Sequence, residues 1–377
     1  MIPENKYYSY HLKELPKGCQ FCVRGEKLVL FVTGLCPRNC FYCPLSDNKY
    51  SQDVSFANER KVSSSEEVIM EAELMQAKGA GITGGDPLSK LDRTLTYIKK
   101  LKEKFGPEFH LHLYTSLNLV TESTLQKLYQ AGLDEIRFHL DLNSPNFWKK
   151  LDLAKRFPWD IGVEVPLMPG KESELKQMIN FIQNKVQFLN LNELEKADNS
   201  FSNLDQYATK DKLSYAIKDS LELGLNLLNY IREKNYPLKA HLCTAKLKDS
   251  VQLANRFKRE APQIKKEFDL MDEEGLLTRG SLYLPELTPS FGYRKILAEI
   301  NKPEFIKKLN PIVQKIKQDL KLNDHNLFLD QEKPRILLSS KNAKKHKDYF
   351  TKLNLKVAIV KEYPTADQLE IEVDILN

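Results

Sequence analysis

Three cysteines stand in a CxxxCxxC run, Cys36-Pro-Arg-Asn-Cys40-Phe-Tyr-Cys43. Three thiolates on one short loop can hold three irons of a 4Fe-4S cluster, which ordinarily takes four cysteine ligands. The missing fourth ligand leaves one iron open to a small molecule. Zinc is the competing reading, but structural zinc sites usually present paired CxxC knuckles. One such knuckle does occur, Cys19-Gln-Phe-Cys22, closed by Gly25, and the last cysteine, Cys243, stands beside His241-Leu242. Cys19, Cys22 and Cys243 could hold a second Fe-S cluster or, with His241, a zinc ion. The plain alternative makes Cys243 a buried thiol. Six cysteines in 377 residues are no disulfide scaffold. Clustered thiols without a secretion signal are more often metal ligands or catalytic groups.

The elements that must position these groups alternate. A buried strand at 27–33 runs directly into the cysteine loop. A helix at 64–76 follows, with Ser64 and Glu67 spaced as a capping box. Strands are expected at 79–83, 110–114, 135–140, 161–167, 187–192 and 238–243. Helices are expected at 90–105, 122–130, 146–154, 172–185 and 210–233. Strands spaced by helices argue for βαβ units and a parallel sheet. The expected fold is α/β, a TIM-like partial (β/α)6 barrel, in which chemistry sits at the C-terminal strand ends. The pattern divides as an N-terminal cysteine-containing extension (1–26), the core barrel (27–245), a basic helical region (246–333) and a small C-terminal α+β domain (334–377).

Tyr42 supplies an aromatic just before the last cysteine of the run, and Thr83-Gly84-Gly85-Asp86-Pro87 falls at the expected end of the second strand. Gly-Gly-Asp-Pro alone is also a good turn. Taken with the cysteine loop at this distance, the chain resembles the radical S-adenosylmethionine (radical SAM) superfamily, in the branch related to pyruvate formate-lyase activating enzyme. The resemblance covers residues 27–245. It implies that Cys36, Cys40 and Cys43 ligate a 4Fe-4S cluster whose open iron chelates S-adenosyl-L-methionine. One electron then cleaves the sulfonium C–S bond, giving methionine and a 5′-deoxyadenosyl radical that takes hydrogen from a substrate. By position, Tyr42 lies near the adenine, and Gly84, Gly85 and Asp86 meet the methionine ammonium. Ser116, in Tyr114-Thr115-Ser116, stands where the family binds ribose, although it departs from the common Thr-Asn-Gly. Arg137 would pair with the S-adenosylmethionine carboxylate or, equally, with an acid lining the barrel. His139, Glu164, Asn190, Asn192 and Glu193 lie at or near strand ends and are candidate substrate contacts, with structural hydrogen bonds as the alternative for each. The implied reductant is a ferredoxin or flavodoxin.

Composition narrows the rest. At 41% hydrophobic and 29% charged, the chain is neither disordered nor fibrous. Its net charge is +6, from 57 Lys+Arg against 51 Asp+Glu. Residues 301–377 hold 15 Lys+Arg and 11 Asp+Glu, and Lys248, Arg256, Lys258, Arg259, Lys265 and Lys266 form a basic stretch after Cys243. These could meet RNA phosphates, though a charge run is usually a solvated face. RNA, a protein or peptide, and a small metabolite are therefore all open as substrate. The N-terminus lacks the features of a signal or transit peptide and apolar runs are short, so a cytoplasmic protein is expected. The reading from a different class is a non-catalytic iron–sulfur or zinc-binding interaction protein. Against it stand the cysteine loop, Gly-Gly-Asp-Pro and Tyr-Thr-Ser at successive strand ends.

Overall fold

The computed structural model describes residues 2–377. They form two compact units, one ending at Arg256 and one running Phe257–Asn377. The strands of the first are β1 (Tyr10–Leu12), β2 (Lys27–Phe31), β3 (Ser55–Ala57), β4 (Arg60–Val62), β5 (Gly79–Thr83), β6 (His110–Ser116), β7 (Glu135–His139), β8 (Asp160–Leu167), β9 (Phe188–Glu193) and β10 (Lys239–Cys243). From β2 through β5 to β10 neighbours pair in parallel and in chain order. The antiparallel β3–β4 hairpin extends the β2 edge, and β1 runs antiparallel on β10. The edges do not pair with each other, so the barrel is partial.

The crossovers are α2 (Ser65–Leu74), α3 (Leu91–Phe105), α4 (Glu122–Ala131), the short α5 (Leu151–Ala154), α6 (Glu172–Ile182) and α7 (Ser220–Glu233), preceded in the chain by α1 (Lys17–Val23). Local chemistry starts and stops them. Ser64 and Glu67 close the capping box of α2, and α4 ends on Gly132 at φ 102°, a conformation that favours glycine. The helices cover the apolar face of the sheet. Leu28 and Leu30, Ala80 and Ile82, Leu111 and Leu113, Ile136 and Phe138, and Leu189 and Leu191 alternate along the strands and are fully buried in one core.

The opposite face of the strands is unusual because it is polar and also buried. Lys27, His110, His112, Glu135, Arg137, Asn190 and His241 are all buried. Helix α1 makes this possible by entering the barrel. The Gly18 N–H donates to Glu135 Oε2 (3.0 Å), and Phe21 stacks on His110 at 5.5 Å between centroids. Cys19 lies 3.5 Å from Arg137 Nη2 on β7 and 3.6 Å from Asn190 Oδ1 on β9. One helix touching β6, β7 and β9 requires the sheet to curl around it. Arg137 itself donates to Glu135 Oε1 (2.6 Å), Glu164 Oε2 (2.8 Å) and Tyr114 OH (3.2 Å). A buried charge without such partners would cost several kcal/mol.

The second unit holds β11 (Leu270–Met271), β12 (Leu277–Tyr283), β13 (Leu327–Asp330), β14 (Arg335–Leu338), β15 (Lys356–Glu362) and β16 (Glu370–Ile375). The sheet order is β13-β14-β12-β15-β16, with β11 on β12. The helix Lys302–Leu320 contributes Leu309, Val313 and Ile316 to its core. The structure thus differs from the expected division at 334, because β12 sits between β14 and β15 in one sheet. The expected helix at 210–233 also begins later, at Ser220. Asp211 and Ser214 bond the backbone N–H groups of Leu213 and Ala216, and Asp219 adopts φ 66°. Such local side-chain bonds compete with helix.

Two outcomes follow. A methyl group at Gly18 would stand 2.4 Å from Arg137 Nη2 and 2.8 Å from Glu135 Oε1. Gly18→Ala should therefore unseat α1 and cost about 1–3 kcal/mol in equilibrium urea unfolding. The interior histidines set the pH response. Burial holds His110 at about 2 and His241 at about 3, and lowers His112 as well. Below pH ~6.5 the unfolded chain takes up protons that the folded chain refuses, so stability is lost at about 1.4 kcal/mol per pH unit per histidine. Urea midpoints at pH 7, 5.5 and 4.5 should fall steeply; a flat response over that range would refute neutral interior histidines.

Candidate functional site

The cysteine loop leaves β2 through a pinched neck. The Gly34 N–H donates to the Gln52 carbonyl (2.8 Å), and the Ser51 N–H donates back to the Gly34 carbonyl (3.2 Å). A Cβ at Gly34 would lie 1.7 Å from the Lys49 carbonyl oxygen, so only glycine fits the neck. Beside it Asp53 accepts from Thr33 Oγ1 (2.9 Å) and from both Arg93 Nη atoms (2.7 and 3.2 Å), which hold its carboxyl well below the usual range. The three cysteines stand on the tip beyond this neck. Cys36 is exposed, Cys40 and Cys43 are half-buried, and the Arg38 N–H donates to Cys36 Sγ (3.4 Å). Burial raises the Cys36 thiol to about 11 and raises Cys43 too. Burial favours the protonated thiols of Cys36 and Cys43, so a bound metal must displace those protons. Three thiols on one braced loop, with a backbone N–H aimed at sulfur, fit a 4Fe-4S cluster that keeps one iron open.

The tip of β5 packs against the root of that loop. The Gly85 N–H donates to the Thr33 carbonyl (2.7 Å) and the Asp86 N–H to the Leu35 carbonyl (2.8 Å). A Cβ at Gly84 would come within 2.4 Å of the Thr33 oxygen, and one at Gly85 within 2.5 Å of the Leu35 oxygen. The close approach that demands glycine here is therefore to the cysteine loop itself. Asp86 also departs from expectation. Its carboxylate is buried and accepts from Thr115 Oγ1 (2.7 Å), Ser116 Oγ (2.7 Å), Ser116 N–H (3.1 Å) and Leu88 N–H (3.1 Å). Four donors fill its acceptor capacity. Burial raises its pKa and the four donors oppose the rise. Asp86 and Ser116, each read from the sequence as a ligand contact, bond one another and clamp the tips of β5 and β6.

The remaining strand-end residues are also engaged. Arg137 is committed to Glu135 and Glu164, so its pairing is with barrel acids rather than a ligand carboxylate. Glu164 further accepts from Asn190 Nδ2 (3.0 Å) and Asn192 Nδ2 (2.9 Å). Glu193 accepts from the Ala245 N–H (2.8 Å) and pairs with Lys210. His139 serves the cysteine loop. Its Nδ1 lies 3.1 Å from the Glu164 carbonyl, which can only accept, so Nε2 accepts the Tyr42 hydroxyl proton (2.8 Å). Burial, then the Arg38 guanidinium, holds His139 at about 4, so the ring is neutral. Arg38 donates to the His139 carbonyl (3.2 Å) and pairs with Asp141 (3.4 Å). Both side chains dock the loop onto the end of β7.

Of the two readings of Cys19, Cys22 and Cys243, a second Fe-S cluster or a zinc site with His241, the structure does not form the zinc site. Among the described residues no group of three or more His, Cys, Asp or Glu side chains gathers closely enough to hold one metal ion. The His241 ring is taken at both nitrogens, Nδ1 by Asn190 Oδ1 (2.8 Å) and Nε2 by Ser9 Oγ (3.3 Å). Cys19 is engaged by Arg137 and Asn190, and burial raises all three thiols, Cys243 to about 12. Cys36, Cys40 and Cys43 need not close on one ion, since a four-iron cluster gives each thiolate its own iron.

One contributor was not legible in the sequence. Residues 194–219, between β9 and α7, form an irregular excursion pinned by the bridges Glu195–Ala216 and Thr209–Ile217. Its Asn199 Nδ2 donates to the carbonyls of Cys43 (3.0 Å) and Leu45 (2.7 Å), and the Asn203 N–H donates to the Phe41 carbonyl (2.7 Å). Ser200 bonds Asp47 through N–H and hydroxyl (both 2.9 Å), and Phe201 stacks on Tyr50 at 3.7 Å. The only sequence signal was the length of the interval between two apolar elements. Connections beyond about 12–15 residues are uncommon and usually functional.

Known proteins resemble this chain to differing extents. The family model of the radical SAM superfamily matches residues 30–160. A Methanocaldococcus jannaschii protein, provisionally named a glycyl-radical enzyme activating enzyme, is 36% identical over 378 residues, covering 97% of this chain and 94% of that one. Biotin synthase of Pseudoalteromonas translucida is 30% identical over 140 residues, 36% of this chain and 38% of its own. Among solved structures, the hydrogenase maturase HydG aligns with a TM-score of 0.39 at 15% identity, over 89% of this chain and 85% of that one. Streptococcus suis SuiB bound to its precursor peptide aligns at 0.42 and 15%, over 58% and 48%. With its three-cysteine loop braced at the C-terminal end of a partial parallel barrel, the chain belongs to the radical S-adenosylmethionine superfamily.

Proposed function

We propose that this protein is an activating enzyme, one that uses S-adenosylmethionine to take a hydrogen atom from a residue of a protein partner presented at the barrel mouth. The observation that carries the reading is the junction of the cysteine loop with the β5 tip, through Gly85 to Thr33 and Asp86 to Leu35. When bound, a 4Fe-4S cluster supplies the electron that splits the sulfonium C–S bond. Cys36, Cys40 and Cys43 would hold it, and Tyr42, fixed by His139, would flank the adenine. The chain at Gly84 and Gly85 would meet the methionine moiety, with Asp86 and Ser116 holding that edge in place.

A macromolecular substrate is favoured by what fills the barrel. Below the mouth, Arg137, Glu164, Asn190, His241 and helix α1 bond one another, so a small metabolite has no polar lining left to itself. A substrate is then best delivered from outside, as a loop of another protein. The name of the M. jannaschii relative points the same way. RNA is less favoured, because two cations of the basic stretch are already committed. Lys248 pairs with Glu195, and Arg256 with Glu59 (2.6 Å). A low-potential ferredoxin or flavodoxin would serve as reductant. No helix among the described residues is long and apolar enough to cross a membrane.

The test uses anaerobically reconstituted chain, dithionite and S-adenosylmethionine. Wild type should form 5′-deoxyadenosine, and Cys40→Ala should fall to background. Adding the purified glycyl-radical enzyme of the same organism should then raise an organic radical doublet by EPR, matched to 5′-deoxyadenosine formed. Turnover with no radical on that partner would sink the protein-substrate reading, and no turnover from a verified cluster would sink the activity as proposed.

A further inference from the structure

The neck at Gly34 and Lys49–Gln52 fixes only the base of the cysteine loop. Its tip is held on two sides. On one, Arg38 and Tyr42 dock onto His139. On the other, the contacts come from the 194–219 excursion and converge on the chain around Cys43. We propose that Asn199 is the positioning residue of the cluster loop, fixing the Cys43–Leu45 backbone through its side-chain amide.

The geometry constrains the amide strongly. Its Oδ1 accepts the Ser202 N–H (3.0 Å), while Nδ2 faces two carbonyl oxygens, at 3.0 Å on Cys43 and 2.7 Å on Leu45. The reversed orientation would set an oxygen against two oxygens and leave the Ser202 N–H facing an NH2 group. Only one rotamer therefore satisfies all three contacts. An asparagine is suited to this task because one NH2 group carries two donors and can bridge two acceptors. The neighbouring contacts, Asn203 to Phe41 and Ser200 to Asp47, set the excursion alongside the loop but do not touch Cys43. Bonds from a second layer of residues orient metal ligands, and their loss typically costs 10–100-fold in metal affinity or activity. The role is distinct from ligation, since Asn199 reaches the main chain and not the sulfur.

Asn199→Asp separates this role from general packing. The carboxylate keeps the shape and can still accept the Ser202 N–H, so the turn at 199–202 survives. It has no proton for Cys43 or Leu45 and places a negative charge against both carbonyls. The readout is site-resolved alkylation of the full-length, metal-free chain by iodoacetamide, followed by peptide mass spectrometry. Cys43 and its neighbour Cys40 should react about tenfold faster than in wild type, the factor that one or two lost hydrogen bonds allow. Cys36, already exposed, should not change, and the buried Cys19 and Cys243 should stay protected. Unchanged rates at Cys40 and Cys43 would overturn the proposal. So would release of Cys19 and Cys243 together with them, which would make the excursion a prop of the whole barrel. Should the aspartate variant fail to fold, Asn199→Ser, too short to reach the carbonyls, is read by the same criteria. The inference rests on the cysteine loop being the cluster site, but alkylation needs no cluster. Its failure would leave the 5′-deoxyadenosine test untouched.

Discussion

A guanidinium sealed inside a barrel must be matched by acids, or its desolvation alone would outweigh much of a domain's net stability. Arg137 is that group here, and much of the first unit is arranged to meet it. Glu135 and Glu164 supply the opposite charge, Tyr114 a hydroxyl, and α1 the Cys19 sulfur. The same contacts seat α1 and curl the strands around it. They also reach the chemistry. Glu164 lies on β8, and its carbonyl orients His139, which orients Tyr42 between two of the cysteines. A buried ion pair and an exposed metal loop are thereby joined through one ring.

The polar lining explains why this barrel differs from an apolar one. Ordinary barrel interiors are filled by branched aliphatic side chains. Here Gly79 leaves room for the Lys27 ammonium and Gly81 for the His112 ring, and the space is filled by rings and amides that bond one another. Such a network is unforgiving, because each lost partner exposes the next buried group. It also ties the register of β6, β7, β8 and β9 to a single set of side chains, which holds the strand ends in fixed relation where the loops converge.

Much of this was legible in the chain. The alternation of strands and helices gave the barrel, and the cysteine run and Gly-Gly-Asp-Pro gave the end at which chemistry sits. What escaped has a common cause. Asp86 and Ser116 were read as facing a ligand, and Arg137 was left between a ligand and a barrel acid, because sequence spacing shows only that a polar group points inward. Whether it meets a ligand or another side chain depends on neighbours as far as 118 residues away. The zinc alternative for Cys19, Cys22 and Cys243 failed for the same reason, since His241 is bonded at both ring nitrogens by residues the local pattern does not contain. The helical pattern was read from 210, and the side-chain bonds of Asp211 and Ser214, the Thr209–Ile217 bridge and the left-handed Asp219 delay α7 to Ser220.

The plug has a bearing on the order of assembly. Helix α1 is made first, yet its partners lie 117 residues on at Glu135 and 171 residues on at Asn190. Ser9, just before it, waits 232 residues for His241. Contacts at such separations form late and slowly. During synthesis α1 therefore lacks its last partner until β9 has left the ribosome, and β1 and Ser9 lack theirs until β10 follows. The cluster loop belongs to β2 and its early neighbours, but its brace at Asn199 comes only with the stretch after β9. Metal loading that preceded the last strand would act on a loop held at its neck alone, and the finished site belongs to a nearly complete first unit.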